Sequence, residues 1–166
     1  MVSYQPEKAA LPPERHIYLV RDIPEADHIV RVPDGKYVAE FIGSESFWYR
    51  GQRPRVVTWF VIIEGSCKGE RIAAYYNVKQ LQSRRSGRSL NSRFSVGWRS
   101  NLTAHLSTLF PDKYSISNLP ETIPEADMQG RSVLIETRTI AKTHDGSQRA
   151  NAFHYSVVKA IHGWAE

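Results

Sequence analysis

The segment RVVTWFVIIEGSCKGERIAAYYNV, Arg55 to Val78, reads as two β-strands joined by a tight connection. Its first half is apolar on both alternating faces and rich in Val, Ile, Trp and Phe. β-Branched side chains lose rotamer freedom in a helix, so a run of this kind is a central strand. Either Trp59 or Phe60 faces outward, and the pattern does not choose between them. The short SCKG link then makes a hairpin into ERIAAYYNV. In a strand, adjacent side chains point to opposite faces, so Tyr75 and Tyr76 must part company. Alternation groups Arg71, Ala73, Tyr75 and Asn77 on an exposed face and Ile72, Ala74, Tyr76 and Val78 in the core.

Upstream, PDG at residues 33–35 is a turn signal. It leads into KYVAEFIGSESFWY, a long strand whose Gly43–Ser46 patch predicts a bulge or bend. Downstream, Ser100 is placed to cap a helix over NLTAHLSTLF. Leu102, Leu106 and Leu109 share one face of it, and Pro111 ends it. Two further strands follow, RSVLIETRTIAK and NAFHYSVVKAI, joined by THDGSQRA with its DG turn signal. The pentapeptide IPEAD occurs at Ile23–Asp27 and at Ile123–Asp127, but the flanks differ. Both copies suit turns or short helical starts rather than a repeat.

Three meandering strands, a helix and a two-strand hairpin predict a mainly β chain with one helix. The expected architecture is an OB-fold-like, five-stranded, partly open barrel with the helix between strands 3 and 4. An α+β sandwich is the alternative. The expected organisation is an N-terminal extension over residues 1–31, partly disordered, and a single OB-like domain over residues 32–166. Apolar residues make up only 41% of the 166, yet 18 aromatics supply large buried areas, which argues for a packed core.

The lone Cys67 can form no internal disulfide and has no second thiol for a metal site, so a cytoplasmic setting is expected. MVSYQPEKAALPPER lacks the features of a signal peptide, and no apolar run approaches the roughly 18 residues of a membrane span. No membrane association is expected.

Charge is concentrated. Asn77 to Ser100 carries six cations, Lys79, Arg84, Arg85, Arg88, Arg93 and Arg99, and no carboxylate. The chain nets +5, so the remainder sums to about −1. Gathered charge points to a site, whereas scattered charge mainly aids solubility. Gly87 and the interspersed serines predict a flexible loop rather than a helix.

Nothing points to catalysis. No phosphate loop, zinc-protease, dithiol or serine-hydrolase motif is present. The six histidines show no metal-ligand spacing, His144-Asp145 reads as a polar turn, and Glu136 and Asp145 are too isolated to suggest a nuclease metal site. No enzyme activity, metal or cofactor is therefore expected.

Cations and hydroxyls that hold phosphates, beside rings on which bases stack, are what sequence-tolerant single-strand binding requires. The candidate nucleic-acid-binding residues are Arg71, Tyr75 and Asn77 on the third strand, and Lys79, Arg84, Arg85, Arg88 and Arg93 in the basic segment. Phe47, Trp48 and Tyr49, followed by Arg50 and Arg53, form a second aromatic-basic patch in which Trp48, Arg50 and Arg53 are the candidates, and Trp98 with Arg99 precedes the helix.

VPDGKYVAEFIGSES, TWFVIIEG, KGERIAAYYNV, FSVGWRSNLTAHLSTLF and RTIAKTHDG, in that order over about residues 32–160, resemble small proteins encoded by phages and integrative mobile elements. Some of those families are thought to be OB-fold single-stranded-DNA-binding proteins acting in replication or recombination. The resemblance implies that setting and a single-stranded nucleic-acid partner, and assigns no site residue. Two other classes stay open: a protein-binding module that inhibits a host nucleic-acid enzyme, and a nuclease with carboxylates assembled by the fold. A homodimer is compatible with the unpaired edge of an open barrel.

Overall fold

The computed structural model describes residues 30–49, 51–82, 88–90, 92–142, 146–148 and 154–165. Strand β1 (Gly35–Tyr49) pairs antiparallel with β2 (Arg53–Ile62), which pairs with β3 (Arg71–Asn77). The other edge of β1 takes β7 (Ser132–Ile140) along Gly35–Glu40, and β7 pairs with β8 (Tyr155–Trp164). The sheet order is β3-β2-β1-β7-β8, antiparallel throughout and not closed by a ladder. The chain is mainly β, and the three meandering strands and the late hairpin lie where the sequence predicts them.

The β2–β3 connection turns through Gly65 and Gly69, whose φ values of 81° and 91° suit glycine. Helix α1 (Asn101–Leu109) lies between β3 and β7 in the chain. The Ser100 hydroxyl caps it by accepting from the Thr103 backbone N–H at 3.1 Å. Leu102, Leu106 and Leu109 are all buried. A second helix, α2 (Glu125–Met128), is a single turn at the second IPEAD copy. The Glu125 carboxylate accepts from both the backbone N–H and the hydroxyl of Ser44, at 3.0 and 2.6 Å, tying this turn to β1.

The bulge in β1 is real, and it has a consequence for every residue after it. Phe41 pairs with Phe60 and Gly43 with Trp59, so Ile42 is the extra residue. One inserted residue exchanges the two faces of a strand. Ala39 and Phe41 point to the core before it, and Ser44, Ser46 and Trp48 take the core side after it. Phe47 and Tyr49 are thereby turned to the outer face. On β2 the same pairing sends Phe60 into the core, completely buried, and leaves Trp59 outside. Ile72, Ala74, Tyr76 and Val78 are buried as alternation requires.

The basic segment departs from a free loop. β4 (Gln80–Leu81) pairs with β6 (Phe94–Ser95), and β5 (Arg88–Leu90) pairs with Glu45–Phe47 of β1. Leu81, Phe94 and Val96 are buried in the main core, so single apolar residues between the cations pin both ends of the segment to the sheet. The first 29 residues, which include most of the expected extension, lie outside the described residues. Chain contacts already begin at Val30, whose carbonyl accepts from the Ser156 backbone.

Candidate functional site

The outer face of β1, β2 and β3 is built in rows across the strands: Gly43–Trp59–Ala73, then Glu45–Val57–Tyr75, then Phe47–Arg55–Asn77. Phe47, Val57 and Ala73 form a small buried cluster against which Tyr49, Trp59 and Tyr75 pack while remaining partly exposed. Gly43, having no side chain, leaves room beside Trp59 in its row. Glu45 shares this face but is buried, at 4% exposure. The Arg55 guanidinium lies 4.1 Å from the centre of the Tyr49 ring, and its Nε donates to the Asn77 side-chain carbonyl at 3.2 Å. A cation held over a ring and bonded across the ladder is fixed in place, with its remaining N–H groups left to donate. Arg71, half-buried at the start of β3, has its pKa drawn down by burial, and an arginine remains charged regardless.

Among the described residues the two end strands, β3 and β8, come together without hydrogen-bonded pairing, and a cavity of about 250 Å³ lies over their junction. One wall is the outer face just described, through Phe47, Arg55, Tyr75 and Asn77. The other is β7 and β8, through Arg138, Ile140, Tyr155, Val157 and Lys159. Among the described residues that line it, three are cations and none is a carboxylate. Asn101, at the start of α1, stands at its edge.

Tyr76 and His105 lie beneath. The Tyr76 hydroxyl is 2.7 Å from His105 Nδ1, and the two rings meet edge to face at 5.4 Å. A further hydrogen bond joins His105 to the backbone of Lys159 on β8. One helix side chain thus bridges both edges of the open sheet. Burial is the main reason that His105 titrates at about 4 instead of 6.5, aided by the nearby His162 and opposed by the Lys159 bond. Burial also pushes the Tyr76 hydroxyl well above its usual value. The ring is therefore neutral at pH 7.

The sequence-predicted residues fall into three groups. Tyr75, Asn77, Arg71 and Arg53 share the outer face or its margin, with Arg53 exposed beside Tyr49. Lys79, Trp98 and Arg99 form an exposed group leading to α1, where Trp98 is 42% exposed and the Lys79 ammonium lies close to Gly97. Arg50, Arg84 and Arg85 lie outside the described residues, and Arg88 enters the sheet in β5, opposite Phe47.

One placement corrects the sequence reading. Trp48 packs against the main core on the side away from Tyr75, because the bulge at Ile42 reversed the faces; its neighbours Phe47 and Tyr49 take the outer face instead. Arg93 remains exposed and is ion-paired with Glu121. Arg55, Arg138, Tyr155 and Lys159 were not singled out by sequence, while Tyr49 entered only as a member of the Trp48 patch and Trp59 only as one of two residues for the outer face. For Tyr49 and Trp59 the bulge supplied a usable signal, whereas nothing local marks Arg138 or Lys159.

No family model matches the chain, and no curated protein or solved structure matches it.

Proposed function

We propose that this chain is a non-enzymatic protein that binds single-stranded nucleic acid with little sequence preference, on an open barrel of OB-fold type. One observation carries the reading. The partly exposed rings Tyr49, Trp59 and Tyr75 pack on one outer face with Arg55, and Tyr75 and Arg55 line a cavity that, among the described residues, holds three cations and no carboxylate. Rings give any base a surface to stack on, and fixed cations neutralise the phosphates between bases.

Strand β1 shared between β2 and β7, with β3 and β8 as facing ends and α1 between β3 and β7 in the chain, supports the OB-type reading. In such barrels the second and third strands are the usual oligonucleotide surface. A role in phage or mobile-element replication or recombination comes from the sequence resemblance alone.

The test is fluorescence anisotropy of a labelled mixed-sequence single strand at two salt concentrations, with duplex DNA as competitor. Binding is expected to weaken steeply with salt and to resist the duplex. Tyr75→Ala should cost about 1–3 kcal/mol of affinity, the worth of one stacked base. Absence of binding at low salt would sink this function and leave the basic segment as a protein-docking surface.

A further inference from the structure

β3 and β8 both run in the same sense as β1, since each is separated from it by one antiparallel neighbour. Two such edges lying side by side without a ladder leave a channel across the sheet's open seam. The walls are alike in chemistry: one offers Arg55 with Tyr75, the other Arg138 with Tyr155. These two pairs come from opposite ends of the sheet order. In sequence Tyr75 and Arg138 are far apart, and only the curl of the sheet makes them neighbours.

We infer that a bound single strand does not end on the outer face of β1–β3 but crosses the seam, placing one nucleotide in the channel and a phosphate on Arg138 of the far wall. This rests on the single-strand function proposed above and names a second half of its site. The channel's volume, about 250 Å³, suits one nucleotide rather than a duplex or a protein domain.

Its charge selects the same ligand, because among the described residues the lining is cationic and holds no acid that would repel a phosphodiester. Arg138 is exposed and has no carboxylate partner among the described residues. Lys159, by contrast, already donates to Glu136 at 2.8 Å, so Arg138 is the stronger phosphate ligand of the two. Below, Tyr76 and His105 satisfy one another, which leaves recognition to the walls. A ligand lying across the seam also joins two edges that no ladder joins, so binding should stabilise the fold.

The experiment compares the wild type with Arg138→Gln, Tyr75→Ala and Lys36→Gln, using the labelled mixed-sequence strand at several salt concentrations. Lys36 is an exposed cation of β1 that does not line the channel. Arg138→Gln should weaken binding about threefold to tenfold for every sequence and flatten the plot of log affinity against log salt by about 0.7, the loss of one phosphate contact. Lys36→Gln should change neither quantity.

Unchanged affinity and slope in Arg138→Gln, with Tyr75→Ala still weakened, would overturn the seam crossing and leave the outer-face function intact. Equal losses in Arg138→Gln and Lys36→Gln would reduce the effect to net charge and likewise overturn it. A wild type that binds no strand would remove both readings together.

Discussion

Lowering the pH from 7 to 4 perturbs one buried residue that touches both sides of the seam. His105 accepts the Tyr76 hydrogen bond at Nδ1 when its other ring nitrogen donates to the Lys159 backbone, and this requires a neutral ring. In the unfolded chain the imidazole takes a proton near 6.5, while in the fold it does so only at about 4, chiefly because it is buried. The folded pKa is the lower one. The neutral ring's contribution is therefore complete above 6.5 and is lost progressively as pH falls from 6.5 to 4, where the unfolded state binds the proton and the folded state does not.

The two values lie 2.5 pH units apart. At about 1.36 kcal/mol per unit, the loss is about 3 kcal/mol, a large part of the stability of a domain this size. Urea unfolding at intervals across this range measures it, with His105→Gln beside the wild type. Carboxylates that titrate near pH 4 do so in both proteins, and the difference between the two curves isolates the imidazole. The wild-type curve should fall more steeply than that of the variant, by about 3 kcal/mol over the range. Parallel curves would refute a buried, neutral His105 bridging β3 and β8.

Ser100→Ala removes the hydroxyl that caps α1 and should cost about 1 kcal/mol in denaturant unfolding. An unchanged midpoint would mean that the helix start is held by something other than the cap. Phe60→Ala empties a fully buried site that packs edge to face on Phe41, with ring centres 5.9 Å apart, and should cost about 3–5 kcal/mol in the same assay. A loss below 1 kcal/mol would place Phe60 outside the core.

The sequence carried the strands and the capped helix because their signals are local: alternation in β3, a β-branched run in β2, and leucines along one face of α1. It carried one half of the candidate site for the same reason. Tyr75 could be placed on an outer face by counting residues along a single strand, and the structure puts it there.

Trp48 failed for an equally definite reason. Its face depends on how many residues the bulge inserts upstream, and a change of one at Ile42 sends Trp48 inward and Phe47 and Tyr49 outward. The basic segment misled because composition hides position: Leu81, Phe94 and Val96 are too few to make a periodic pattern, yet each is buried and anchors the chain around it.

The far wall of the channel was beyond any local argument. Arg138 and Lys159 look like ordinary solvent-facing cations of a hairpin, and Lys159 does form a surface ion pair with Glu136. They acquire a different meaning only when β8 lies against β3, where His105, a residue whose hydrophilic character says nothing of burial, touches both strands. A site divided between the two ends of an open sheet is thus half visible in sequence. The visible half lies on strands that pair with their chain neighbours, and the hidden half is created by the closing of the curl. It follows that variants chosen from the sequence alone would test stacking on β3 and leave the seam, where Arg138 stands, unprobed.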